Sequence, residues 1–254
     1  MSSARQSAIW HLRTEQILLP KSGFESSECE DSIGSDEQNC RFAVADGATE
    51  AFDSGNWAQR LAQNWVRNES ALTPETFHEW VASQGQELHS SWKELTLPWY
   101  AEEKARKGSF AAFVGVELDL RTDKPGWKAI ALGDACLLHC RDGALLKSFP
   151  LSNSASFNSA PLLVASDPAI YKTNELSVAT DSGSCELNDV LFLVSDAAAA
   201  WYLERFEQNN FSDVFESREP DLPAQFFENE REAGRIRNDD IAVMRLEIQQ
   251  RSIS

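Results

Sequence analysis

Three short apolar runs in this chain abut an aspartate. "FAVADG" (42–47) ends in Asp46 with Gly47 behind it, "DVLFLVSD" (189–196) runs into Ser195 and Asp196, and "NDDIAVM" (238–244) starts behind Asp239 and Asp240. A fourth run, "AIALGD" (129–134), delivers Asp134. Runs of this length, bounded by turn residues, are buried strands. A charged group at the end of a buried strand is costly unless something pairs with it. When such strands are neighbours in one sheet, or lie in two facing sheets, their acids meet. Crowded carboxylates repel one another and take up protons. A divalent cation removes that cost, and an oxygen-only ligand set suits hard ions such as Mg²⁺ or Mn²⁺. Taken singly, a strand-end Asp-Gly is ordinary turn chemistry. Four such sites in one chain give the pattern its weight.

The segments between these runs set the fold class. Trp57, Leu61 and Trp65 at four-residue spacing, flanked by Ala58, Ala62 and Val66, predict one helix. A second opens at Thr73-Pro74-Glu75, an N-cap followed by proline at the first helical position, with Phe77, Trp80, Val81, Leu88, Trp92 and Leu95 on its stripe. Then "SFAAFVGVELDL" (109–120), "WKAIALG" (127–133), "ACLLHC" (135–140) and "ALLKSF" (144–149) follow as an antiparallel meander, the last two joined at Arg141-Asp142-Gly143. Residues 21–40 are polar and acidic, and 150–188 read as a long irregular stretch. A strand over 189–194 leads into a helix, a further helix is expected over Ala224–Arg235, and a last strand covers 241–248. This is α+β: two antiparallel groups of strands with helix pairs between and after them, in a single domain over residues 1–254, without linker or repeat.

The formal charge of -17 argues against a nucleic-acid partner, whose backbone demands clustered Lys and Arg, and against an anionic membrane surface. No apolar run approaches the roughly 20 residues of a membrane span, and the start lacks the apolar core of a signal peptide. Cys29, Cys40, Cys136, Cys140 and Cys185 are odd in number and form no CxxC, so reduced thiols and a cytoplasmic location are expected. Cys136 and Cys140 share one strand face and are read as core. His11, His78, His89 and His139 have no metal-site spacing, and there is no P-loop or GxGxxG.

The ordered set of blocks resembles the metal-dependent protein phosphatases of type 2C, including their bacterial members. Glu30-Asp31, "FAVADGATEAF", "GSFAAF" (108–113), "ALGDACLL" (131–138), "LVSDAAAAW" (193–201) and "NDDIAVM" follow one another as that family's motifs do, over about residues 20–248. The resemblance implies a four-layer αββα sandwich, two facing antiparallel sheets flanked by helices. It implies a dinuclear Mn²⁺ or Mg²⁺ centre, with a third, weaker ion. Asp46 would bridge the two metals beside the Gly47 carbonyl, and Asp196 and Asp239 would ligate one of them, these three acids being the catalytic set. Glu30 or Asp31 would act through water, and Asp134 would serve the third ion. Asp239 is favoured over Asp240 by alignment. The implied chemistry is hydrolysis of a phosphomonoester, phospho-Ser or phospho-Thr on a protein, by a metal-bridging water attacking phosphorus in line. The chain would act in signalling as a monomer.

The chain departs from that pattern at several points. "DGxGG" becomes "DGATEAF", "SDG" becomes "SDA" with Ala197, and no histidine follows Asp46-Gly47. A phosphate-gripping cation has no fixed place: Lys21 is the first choice and Arg13 the second. Substrate contact is expected from 150–188 and from a polar loop over Pro98–Lys107. Two alternatives stand beside the enzyme. One is a pseudophosphatase that uses the same fold to bind a partner or regulate it. The other is an acidic Ca²⁺ module, disfavoured because no EF-hand spacing occurs.

Overall fold

Alternate residues of a strand face opposite sides of its sheet, and here both sides are apolar. The computed structural model of the chain describes residues 9–68, 73–157, 161–171, 178–209 and 224–251. In chain order the strands are β1 (Ile9–Leu19), β2 (Asp31–Asp36), β3 (Arg41–Gly47), β4 (Phe110–Asp119), β5 (Gly126–Leu132), β6 (Cys136–Arg141), β7 (Ala144–Phe149), β8 (Val164–Ala165), β9 (Ala179–Ser184), β10 (Val190–Val194) and β11 (Ile241–Arg251). The helices are α1 (Ser54–Arg67), α2 (Pro74–Trp92), α3 (Trp99–Lys107), α4 (Asp196–Glu207) and α5 (Ala224–Glu232). One antiparallel sheet has the order β1-β11-β10-β6-β7; the other runs β2-β3-β4-β5-β9, with β8 paired to β4.

The alternation sorts the core into three layers. Phe42 and Val44 of β3, Val114 and Val116 of β4, Leu191 and Leu193 of β10 and Met244 and Leu246 of β11 meet between the sheets. Ala43, Ala45 and Phe113 point the other way, under Trp57, Leu61 and Trp65 of α1 and Phe77 and Val81 of α2. Phe192, Val194, Ile241 and Val243 lie under Trp201 and Tyr202 of α4 and Phe227 of α5. Helices over sheet over sheet over helices is the four-layer αββα sandwich expected from the resemblance. Local chemistry agrees with it. Thr73 caps α2 by accepting from the Thr76 amide at 3.4 Å, with Pro74 next. Gly115 leaves room for the Trp65 indole, whose nearest atom would lie 2.6 Å from a Cβ there. Cys136 and Cys140 are buried under α4 as core residues.

Five elements and one residue differ from the sequence reading. The polar stretch 98–107 forms α3 rather than a loop, with basic Lys104, Arg106 and Lys107 in its last turn. The stretch 150–188 contains β8 and β9, although its residues 158–160 and 172–177 lie outside those described. Residues 21–40 contain β2, and β1 precedes them. Leu95 falls beyond the end of α2 and is exposed. Among the described residues, no helix is long and apolar enough to cross a membrane.

Candidate metal centre

The alternation that builds the inter-sheet core also aims the acids. On β3, Asp46 shares its face with Phe42 and Val44; on β2, Asp31 shares its face with Ile33, which packs against the same core. The β2–β3 register sets Asp31 opposite Asp46. Like charges directly opposed on a sheet destabilise it. Burial above all, opposed by a hydrogen bond from Ser195 and reinforced by the charges of Asp240, Asp196 and Asp239, pushes Asp31 well above the usual carboxylate range. Burial of its carboxyl, then the charges of Asp31, Asp196 and Asp134, does the same to Asp46.

The other sheet brings the remaining acids to the same end. β10 stops at Val194, and Asp196 opens α4, its amide donating to Asp46 Oδ2 at 3.3 Å. That amide belongs to a helix N-terminus, which favours negative charge. Asp134 follows β5 and is buried; burial, then the charge of Asp196, raises it to about 6, Arg237 opposing. Asp239 and Asp240 precede β11 and have different jobs. Asp240 has both oxygens engaged by backbone, accepting from the Lys21 amide and the Glu30 amide at 2.8 Å each. It ties three segments together. Asp239 turns to side-chain cations, with Lys21 Nζ at 3.2 Å and Arg237 Nε at 3.3 Å.

Gly47 closes the floor of the site. A Cβ there would lie 2.7 Å from the Glu30 carbonyl oxygen and 2.8 Å from the Ser54 backbone, so only glycine allows this approach. Glu30 is turned outward from Asp31: it accepts from the Ser54 hydroxyl at 2.5 Å and faces Lys21 Nζ at 3.5 Å. Lys21 Nζ also donates to Thr49 Oγ1 at 2.7 Å. Although burial opposes its charge, Asp239, Asp240 and Glu30 together hold the Lys21 ammonium above its ordinary pKa. Glu50 is exposed and leans toward Lys104 of α3 at 3.9 Å, leaving the acids uncovered.

The structure thus gathers Lys21, Glu30, Asp31, Asp46, Gly47, Asp134, Asp196, Asp239 and Asp240. Arg13 is not among them. It lies within β1, opposite Glu247, with its guanidinium 2.8 Å from Glu15. The cation that the sequence reading missed is Arg237, which pairs with Asp196 as well as Asp239. Its only sequence signal is its place two residues before Asp239.

A divalent cation fits this donor set. Every side-chain donor is a carboxylate, and Asp31 Oδ2 is buried without a hydrogen-bond partner, a group that costs stability unless it is satisfied. Among the described residues, however, the one trio of metal-type ligand atoms within 4.8 Å of one another is His139, Cys185 and Asp189, elsewhere in the fold. That trio is already satisfied. Trp127 Nε1 donates to His139 Nδ1 at 3.2 Å, so Nε2 carries the proton and donates to Asp189 at 2.9 Å. Arg141 grips Asp189 at 2.7 and 2.9 Å, and burial, then Asp189, raises the Cys185 thiol to about 12. It is a structural clasp. The acids of the cluster stand farther apart, with Lys21 and Arg237 among them.

No protein-family model matches the sequence, and no curated protein does. Solved structures do. A serine/threonine phosphatase of Mycobacterium tuberculosis, PstP/Ppp, superposes with a TM-score of 0.62 at 13% identity over 94% of this chain and 99% of its own. PppA, a regulatory component of the type VI secretion system in Pseudomonas aeruginosa, gives 0.60 at 14% over 96% of this chain and 100% of its own. The catalytic domain of a serine/threonine phosphatase PstP, in complex with two manganese ions, gives 0.58 at 14% over 94% and 99%. At such identity the likeness is one of fold.

Proposed function

We propose that this chain, whose fold is that of the protein phosphatase 2C-like serine/threonine phosphatases, is a metal-dependent phosphomonoester hydrolase acting on phospho-Ser or phospho-Thr of proteins. The observation that carries this reading is the convergence of Asp31, Asp46, Asp134, Asp196 and Asp239 at one open end of the inter-sheet core, where burial and the neighbouring acids disfavour the charges of Asp31, Asp46 and Asp134. Such a cluster calls for cations. Asp46, Asp196 and Asp239 would hold Mn²⁺ or Mg²⁺, with Gly47 beside Asp46 and Asp31 in support. Asp134 would serve a further ion. Asp240, its oxygens taken by amides, positions the 21 and 30 segments instead, and Glu30 anchors Lys21.

When bound, such ions supply an activated water and neutralise phosphate charge for in-line displacement. The chain's own groups do the rest. Among the described residues, Lys21 and Arg237 are the cations paired with the acids and would orient the phosphate oxygens, with Arg237 able to do so in bidentate fashion. Arg13 lies too far along β1 to take part. The α4 N-terminus steadies Asp46 through the Asp196 amide. The basic turn of α3 flanks the mouth through the Lys104–Glu50 contact and would meet a phosphoprotein substrate.

One observation favours the second reading, a pseudophosphatase. Lys21 and Arg237 already neutralise Asp196 and Asp239, so the site is not forced to take a metal. Hydrolysis of p-nitrophenyl phosphate with Mn²⁺, Mg²⁺, Ca²⁺ or chelator, in the wild type and in Asp46→Asn and Asp239→Asn, separates the readings. The enzyme requires turnover with Mn²⁺ or Mg²⁺ that chelator and both substitutions abolish. Metal binding without turnover under any condition identifies the pseudoenzyme, and turnover indifferent to chelator and to both substitutions refutes the metal chemistry.

A further inference from the structure

With 40 Asp and Glu against 23 Lys and Arg, a cation without an acidic partner should be rare in this chain, yet several gather at one place. Between the β2–β3 turn, the C-terminal end of α1, the β4–β5 connection and β9 lies a cavity of about 1050 Å³. Arg41, Arg67, Arg121, Lys124 and Lys128 line it. None of the last four has a described carboxylate within 4.0 Å. The acids in the same wall are engaged. Asp36 accepts from the amides of Gln38 and Asn39 at 3.0 Å each, and Asp119 accepts from the Arg121 amide at 3.0 Å. Among the described residues, Glu117 pairs with Arg41 alone, at 3.4 Å.

Arg41 is built into the wall rather than draped over it. The register aligns Arg41, Glu117, Lys128 and Ser182 across β3, β4, β5 and β9. The alternation that sets Ala43 and Ala45 under α1 sets Arg41 on the same face, where the helix ends. Its Nε donates to the Trp65 carbonyl at 3.2 Å and its guanidinium lies 4.6 Å from the Trp65 ring centroid. The residue is 5% exposed, and its Nη2 is buried with no hydrogen-bond partner. Burial disfavours its charge, with Glu117 and Asp36 opposing only in part. A buried guanidinium N–H without an acceptor is expensive, and an anion in the cavity would satisfy it once the guanidinium turns Nη2 toward the opening. The guanidinium fork matches phosphate oxygens, and Asn39, Thr122 and Ser182 in the same wall offer neutral partners for hydroxyls.

We propose that this cavity binds a small phosphorylated polyanion, of sugar-phosphate or nucleotide size. It is separate from the acid cluster: Arg41 opens β3 and Asp46 lies five residues along it, about 17 Å away at ~3.3 Å per residue.

The test is calorimetric titration of the full chain with pyrophosphate, in chelator so that no divalent ion takes part, with citrate as the non-phosphate comparison. Pyrophosphate should bind at one site and weaken with added salt. Affinity should fall at least about tenfold, the worth of one charge-assisted hydrogen bond, in the triple variant Arg121→Ala, Lys124→Ala, Lys128→Ala. All three side chains are exposed, so the fold tolerates their loss. Arg41→Lys, which keeps the charge and loses the fork, should also weaken binding, and Lys21→Ala with Arg237→Ala should leave it unchanged. Three outcomes would overturn the site: no binding to the wild type, equal affinity in the triple variant, or loss confined to the Lys21 and Arg237 variant. Citrate binding as tightly as pyrophosphate would overturn the phosphate assignment.

Discussion

Asp134 measures what the acid cluster costs the metal-free fold. Burial, then the charge of Asp196, moves its carboxyl from 3.8 to about 6. At 1.36 kcal/mol per pH unit, its ionised form is disfavoured in the fold by about 3 kcal/mol relative to the unfolded chain. Because the folded state holds the proton more tightly, this contribution to stability is complete below about pH 4 and is lost as pH rises through about 6. Asp31 and Asp46 are shifted in the same direction, so the slope of the wild type alone does not isolate Asp134. The difference from Asp134→Asn does, since the variant keeps the shape and cannot titrate. Urea unfolding in chelator from pH 4 to 8 should find the two proteins within about 0.5 kcal/mol of each other at pH 4. At pH 8 the variant should be the more stable by about 2–3 kcal/mol. An unchanged difference between the two across that window would refute the reasoning.

Two further outcomes follow from the same geometry. Arg237→Ala frees Asp196 and Asp239 from a competing cation, so Mn²⁺ affinity without substrate should tighten about three- to tenfold, the worth of one partly exposed ion pair. Calorimetry checks this, and equal or weaker affinity counts against the competition. Gly47→Ala places a Cβ against the Glu30 and Ser54 backbones, so stability in urea should drop by about 1–3 kcal/mol. A loss below about 0.5 kcal/mol would refute the tight floor of the site.

The acids were legible in the sequence because each interrupts a pattern: an apolar run has a definite end, and a carboxylate at that end needs a reason. Their counterions were not. Arg237 is near its acids only because β10 and β11 are paired, and no periodicity in "RIRNDD" announces that. The choice between Asp239 and Asp240 was half legible. Asp240 has the parity of Ala242 and Met244, which face the inter-sheet core, but its capture by two distant amides is a tertiary fact. β1 escaped notice because each face is covered at one end only. Trp10 and Leu12 pack between the sheets while Ile17 and Leu19 pack under the helices, so neither period-two set is apolar throughout. β9, "ATDSGS", is an edge strand with no large apolar residue to mark it. α3 carries charge on most of its surface and buries nothing, so it lacks the stripe by which α1 was recognised.

The site is the polar end of a core, and that accounts for its electrostatics. Phe42, Val44 and Asp46 form one face of β3, so any force that buries the first two also draws the third out of water. Removing Asp46 from that face would require a slip of one residue, which would turn Phe42 and Val44 outward with it. The fold therefore cannot relieve the acid cluster by moving its strands; it can only neutralise it. The raised proton affinity of Asp31 and Asp46, the amide of Asp196, and the cations Lys21 and Arg237 all act in that sense. A divalent ion entering the cluster must displace protons and free Asp196 and Asp239 from Arg237. Metal affinity should accordingly rise with pH and improve when Arg237 is removed. A site held open by repulsion alone would share the first dependence but not the second.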